Sequence, residues 1–405
     1  MCISFLSDIS LFLFTKIIIM KAFYSVILPV LLLIPFTSLA QNYPTFGPEK
    51  HVTITGLTFD AMEPNLSPDG NTLFFNSLNS GGNTNLYYAT KINDSTFQYE
   101  GLLNGCYDSS PDHLDGVASI DTDNNFYWVS MRGYPVTIEN LHRGLYSSGS
   151  VTDTTRVYGD FNIPILGWII MDAFISQQGD QLIYCNAYFD FINNSCGVGI
   201  PCEARLGVAL KINDTTFNKL PNTDALFDSI NNNNYLVYAP QLTQDGLELY
   251  FTRLQKSTYN TEICVAVRSN TSEPFSEPVL LYSNYGFVPE APTLTSDKQI
   301  MYYHQKNLSG IFEIYMRIRD GSTAVKPLEN KSDFQLYYNA ATQTIQVKPT
   351  IPEGKFSIQI SNQAGQTIMK QSESQTVEVE SLTRGMYIAT LRYNHKKYSL
   401  RFIRE

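Results

Sequence analysis

The chain has 405 residues, with 28 basic and 38 acidic side chains for a formal net charge of −10, and is 43% hydrophobic and 13% aromatic. The apolar share is too high for a disordered chain, and the length allows more than one folded unit. Residues 41–330 carry 16 basic against 31 acidic side chains and residues 331–405 carry 10 against 6, so the larger part repels nucleic acid and anionic lipid, and a compositional boundary falls near residue 330.

Residues 1–40 read as a secretory leader. Met20 and Lys21 make a short basic start, Phe23 to Phe36 an apolar run, and Ser38-Leu39-Ala40 a small-residue cleavage pattern, with Gln41 as the first mature residue. The stretch before Met20 is an over-long start. A membrane anchor is the alternative, but Lys16 interrupts its apolar run. No Cys follows Ala40, so lipid attachment is not expected. Once the leader is removed no transmembrane segment is expected either. The most apolar later run, Ile163 to Phe174, contains Pro164 and Asp172 and is predicted to be a buried strand.

Five stretches then repeat one plan: EPNLSPDGNTLFF from Glu63, SIDTDNNFYW from Ser119, DAFISQQGDQLIY from Asp172, APQLTQDGLELYF from Ala239 and APTLTSDKQIMYY from Ala291. Each has a short apolar strand, a tight turn and an aromatic alternating strand, and Phe75, Trp128, Tyr184, Phe251 and Tyr303 align. Gly and Asn suit the positive φ of such turns. A third strand follows each time, beginning at Asn85, Arg143, Leu206, Glu262 and Phe312. The near-identical phrases KINDSTF (Lys91 to Phe97) and KINDTTF (Lys211 to Phe217) then read as hairpins from the third strand to a fourth. Successive turns, at Asp69, Asp123, Gln178, Asp245 and Asp297, lie 54, 55, 67 and 52 residues apart. Four strands at a period near 50 predict an all-β propeller. Five blades are favoured; six follow if Phe161 to Met171 or Tyr235 to Tyr238 hides a further unit. Pro44 to Val52 resembles the fourth strand at Phe275 and is expected to complete the last blade, closing the ring and removing two sheet edges.

The Pro64 to Phe75 turn and strand, PNLSPDGNTLFF, resemble the repeat of TolB-type, WD-like propellers. The second and fifth units depart from it with Asp123-Asn124 and Asp297-Lys298. The resemblance implies a propeller that acts as a binding or scaffold module, with no single activity attached.

From Leu328 the pattern becomes that of a small antiparallel sandwich with basic last strands. Asn362 to Thr367 around Gly365, the Leu-x-x-Gly-x-Tyr segment within Ser381 to Ile388, and the closing Lys396 to Arg404 strand resemble the C-terminal sorting domain of type IX secretion substrates. That resemblance implies recognition by the type IX secretion machinery and delivery to the outer-membrane surface or the medium. An ordinary carbohydrate-binding or immunoglobulin-like β-domain is the alternative. The expected organisation is leader 1–40, propeller 41–327 and sorting domain 328–405.

Chemistry is sparsely marked. There is no Gly-x-Ser-x-Gly, and the five histidines make no His-Glu-x-x-His pattern. Asp121 to Asn125 opens like a calcium loop, but Phe126 replaces the required Gly and no Glu closes it. No metal or cofactor is expected. Of Cys106, Cys185, Cys196, Cys202 and Cys264, the pair Cys196 and Cys202 is the disulfide candidate, and the odd count leaves at least one further thiol. Trp128 and Trp168 are assigned to the core. Glu63 and Asp172 align at the start of innermost strands, with Asp115 and Glu290 near the equivalent position, so four carboxylates are expected to converge at one channel mouth. The reading is an exported, non-catalytic binding module for an unknown glycan or protein ligand. A secreted glycoside hydrolase or lyase using those carboxylates is the alternative.

Overall fold

The computed structural model describes residues 43–79, 83–107, 113–320, 335–339, 342–348, 356–362, 366–393 and 396–404. The leader, Gly365 and the expected boundary at 327/328 lie outside these residues. Among them, residues 50–318 form five antiparallel blades. The first contains Met62–Leu66, Thr72–Asn76, Leu86–Asn93 and Thr96–Leu102, and the second Asp115–Ile120, Asn125–Ser130, Leu141–Ser147 and Ser150–Arg156. The third is Trp168–Ile175, Gln181–Tyr188, Glu203–Asn213 and Thr216–Lys219, and the fourth Tyr235–Leu242, Glu248–Gln255, Asn260–Val267 and Val279–Ser283. Glu290–Leu294, Ile300–Lys306 and Phe312–Ile318 make three strands of the fifth, and Lys50–His51 is its fourth.

The repeated turn has a physical cause. Ser67 Oγ donates to Asp69 Oδ1, which accepts the Asn71 amide, while the Thr72 amide donates to Ser67 Oγ. Thr243 with Asp245 and Thr295 with Asp297 reproduce these bonds. The following residue is left-handed in all five units: Gly70 (φ 74°), Asn124 (62°), Gly179 (72°), Gly246 (70°) and Lys298 (61°). Asn124 and Lys298, the two departures from Asp-Gly, therefore occupy the same conformation. Asp121 is spent on this turn as well, its Oδ1 accepting the amides of Asp123 and Asn125.

The second strand of each blade is buried on both faces. Phe75, Trp128, Tyr184, Phe251 and Tyr303 pack toward the preceding blade; Phe74, Tyr127, Ile183, Tyr250 and Tyr302 pack toward the next. Five apolar clusters result, one in each seam, including the seam between the fifth blade and the first. Period-two alternation with large side chains on both sides is thus what builds the ring. Among the described residues there is no sixth unit: Trp168–Ile175 and Tyr235–Leu242 are the innermost strands of the third and fourth blades. The expected strand at Ile163 to Phe174 starts later than predicted, because Pro164 and the positive φ of Gly167 hold residues 163–167 in a loop that exposes Ile165 and Leu166. Trp168, at the edge of that strand, is half-buried against Tyr188 and lies outside the core.

Closure uses two strands. Lys50 and His51 pair antiparallel with Met316 and Tyr315, and Phe46 bridges Arg319. Thr53–Thr55 then pairs parallel with Thr96–Gln98 of the first blade. One short segment therefore straddles the last seam, with Glu49 Oε2 accepting from Tyr282 (2.7 Å), Tyr303 (3.1 Å) and Gln305 (3.3 Å).

In the tail, Gln335–Asn339, Thr344–Lys348 and Thr376–Glu378 form one sheet. Thr367–Ser372, Phe356–Asn362, Gly385–Tyr393 and Lys396–Arg404 form another, and the two share a core around Ile345, Ile358, Ile360 and Phe402. Leu382 joins this core, Gly385 takes φ 153°, and the Tyr387 hydroxyl donates to the Thr383 carbonyl. The three positions of the Leu-x-x-Gly-x-Tyr segment thus have distinct structural duties.

Candidate functional site

The innermost strands all carry a register break, between Met62 and Asn65, Gly116 and Ser119, Ile170 and Asp172, Tyr238 and Gln241, and Glu290 and Thr293. At four of these bulges a non-glycine residue is left-handed: Glu63 (52°), Val117 (55°), Ala239 (49°) and Ala291 (54°). Each exposed amide is taken up by the preceding blade. The Glu63 amide donates to His304 Nδ1 (2.9 Å), Val117 to Asn76 Oδ1 (3.2 Å) and Ala291 to Thr252 Oγ1 (2.9 Å). The Ala239 amide donates to the Asp172 carboxylate.

The bulges converge on the axis, where Glu63, Asp172, Val117, Ala239 and Ala291 line a narrow channel of about 30 Å³. That admits water but no sugar ring, since small-molecule sites span roughly 300–1,000 Å³. Glu63 Oε1 accepts from Asn79 Nδ2 (3.0 Å), while Glu63 Oε2 and Asp172 Oδ2 are enclosed and meet no donor within hydrogen-bond distance among the described residues. Glu290 Oε1 accepts from the Tyr238 hydroxyl, and its Oε2 lies 3.4 Å from His304 Nε2. Because His304 Nδ1 accepts the Glu63 amide, the ring proton resides on Nε2, facing Glu290. Burial, then the charges of Asp172 and Glu290, push the Glu63 carboxyl up to about 8. Burial and Glu290 push Asp172 up to about 7, against the pull of the Ala239 amide. Three of the four expected carboxylates therefore meet. Asp115 does not join them: fully buried on the second blade, it is claimed by Arg132, whose Nε and NH2 lie 3.2 and 3.1 Å from Oδ1. Among the described residues no group of three or more His, Cys, Asp or Glu is placed to hold a metal.

A second feature escaped the sequence reading. Connections from fourth to first strands and from second to third strands emerge at one end of the ring, the loop face. Around the second and third blades this face is apolar: Val136 (94% exposed), Ile192 (79%) and Val198 (85%) stand out beside Ile165, Leu166 and Phe191. The loops touch, for Tyr134 packs on Phe191 (6.0 Å), Phe189 stacks on Phe191 (5.5 Å) and the Gly167 amide donates to the Tyr134 hydroxyl (2.7 Å). Cys196 and Cys202 are disulfide-bonded within this region, while Cys106, Cys185 and Cys264 are buried thiols. The sequence signal was present in Val198, Phe191 and Ile192, apolar residues set in a loop of Asn, Gly and Ser.

Residues 335–405 match the family model described as a secretion system C-terminal sorting domain. The protein is thus an exported β-propeller with a C-terminal type IX sorting domain, delivered to the cell surface or the medium. No curated protein matches the chain. Among solved structures it is similar to Zg3597, a family 117 glycoside hydrolase of Zobellia galactanivorans (TM-score 0.45, 11% identity, covering 71% of this chain and 93% of that one). It is also similar to the catalytic domain of the Coprinopsis cinerea GH62 α-L-arabinofuranosidase (0.44, 10%, 70% and 98%). A third is the periplasmic gluconolactonase PpgL of Pseudomonas aeruginosa (0.33, 14%, 84% and 97%). At this distance no activity transfers from any of them.

Proposed function

We propose that this exported propeller is a non-catalytic binding module that engages a protein partner through the apolar loop face of its second and third blades. The observation that carries the reading is the set of exposed apolar side chains Val136, Ile165, Leu166, Phe191, Ile192 and Val198, borne on loops that touch one another through Tyr134, Phe191 and Gly167. Contiguous exposed apolar surface of this kind marks interaction sites. Aliphatic side chains dominate it, and they lack the flat π-face that a sugar ring stacks on, so a protein surface is the better match. The narrow channel supports the same reading, because a hydrolase needs two carboxylates flanking an admitted sugar ring. The TolB-like repeat at Pro64 to Phe75 points in the same direction.

The test compares the wild-type chain with Val136→Asp/Ile192→Asp/Val198→Asp in cross-linking pull-downs from intact cells. A partner retained by the wild type and lost by the variant, with unchanged thermal unfolding, supports the proposal. Polysaccharide cleavage abolished by Asp172→Asn with Glu63→Gln would replace it with the hydrolase alternative.

A further inference from the structure

The seam between the third and fourth blades contains a cavity of about 130 Å³, open to solvent, with apolar walls from Ile183, Val208, Leu220, Leu226, Phe227 and Phe275 and with Gln181, Leu210 and Thr271 completing its lining. Into it is set Arg268, only 8% exposed. Its Nε donates to the Gly246 carbonyl (2.7 Å) and its NH1 to the Thr271 carbonyl (3.0 Å), and its guanidinium carbon lies 4.4 Å from the Phe275 ring centroid. Both acceptors are neutral. Among the described residues no charged side chain acts on this guanidinium, although the propeller carries nearly twice as many acidic as basic side chains. A buried cation without an anion is the unfavourable half of an ion pair. A guanidinium has five N–H donors, so three remain without a protein acceptor among the described residues.

We propose that this seam is a binding site for a small hydrophobic carboxylate, an aliphatic or aromatic acid of about six carbons, whose tail packs on the apolar walls of the cavity and whose carboxylate takes the remaining N–H groups of Arg268. Size sets the tail: an apolar cavity of about 150 Å³ lined by Leu, Ile and Phe accommodates benzene, and this one is slightly smaller. Charge and shape set the head, since the planar fork of arginine matches a carboxylate with two parallel hydrogen bonds. An alcohol supplies no counter-charge, and an amine repels the guanidinium. The site shares no residue with the apolar set at Val136, Ile165, Leu166, Phe191, Ile192 and Val198 and does not depend on it.

Calorimetric titration of the full exported chain with hexanoate and with benzoate, using hexanol and hexylamine as controls, tests the assignment. One saturable site is expected, with hexanol and hexylamine at least tenfold weaker than hexanoate. Arg268→Gln should weaken hexanoate at least tenfold and leave hexanol unchanged. Because Arg268 also holds the turn at Gly246, a second variant, Leu220→Trp, fills the cavity without touching that turn and should abolish hexanoate binding. Absence of saturable binding by either acid, equal affinity for acid and alcohol, or full binding by Leu220→Trp would each overturn the proposal.

Discussion

At Glu63 a left-handed backbone, burial and like charge act on one residue. Its backbone is left-handed, its amide is held by His304, and its carboxyl faces Asp172 and Glu290 across a narrow channel. Burial and like charge favour the protonated forms, so the folded protein keeps protons on Glu63 and Asp172 up to about pH 8 and 7. The unfolded chain releases them near the ordinary values of 4.5 and 3.8. The folded state therefore binds more protons at these two sites through that interval, and their contribution to stability falls as pH rises from about 4 to about 8, then levels off, while His142, whose folded value is held down to about 4 by burial and the Arg156 and Arg132 charges, acts in the opposite sense below pH 6.5. Urea unfolding from pH 4 to 9 should show this decline. Glu63→Gln should flatten it and be more stable than the wild type at pH 8.5 by about 1 kcal/mol or more. An unchanged slope in the variant would show that the channel carboxylates ionise freely.

The strands divide into those that local chemistry defines and those that their neighbours define. The second strands, with their paired aromatic faces, and the turns with Ser or Thr two residues before Asp are short-range patterns. The N-terminal clasp is different, because its two short pairings succeed only when five blades bring Phe312–Ile318 and Thr96–Leu102 to the same seam. Glu49 anchors this clasp through two tyrosine hydroxyls and the Gln305 amide. Glu49→Ala leaves those donors without their acceptor and should cost about 1–3 kcal/mol. Hydrogen exchange should locate the effect: amides of Lys50–His51, Thr53–Thr55 and Phe312–Ile318 should exchange faster while those of the second and third blades stay protected. Uniform acceleration across all blades would show instead that the ring opens only by global unfolding.

At the scale of the whole chain, the propeller presents a surface and the tail provides the address. The sorting domain at 335–405 has its own two-sheet core, and its recognition is what carries the protein outward. If residues 1–40 act as the expected leader, a chain lacking residues 335–405 should accumulate in the periplasm. Cell fractionation would show the surface and medium pools falling by at least tenfold. Undiminished appearance in the medium would mean that the propeller carries its own export signal.

Blade number, turn chemistry, the closing strand and the sorting tail were legible in the sequence, because each rests on residues near one another in the chain or on a pattern that repeats. The Ser67-x-Asp69 turn is complete within six residues, and Phe74-Phe75 states by alternation that both faces are covered. The site was only partly legible. Alignment put Glu63, Asp115, Asp172 and Glu290 at similar strand positions, yet Arg132 draws Asp115 away, and the His304 that receives the Glu63 amide is 241 residues distant. The loop face and the Arg268 seam left still less trace, because exposure and the want of a counter-ion belong to no residue singly. They exist only once the ring has closed and determined which side chains meet solvent, which meet a cavity and which meet each other.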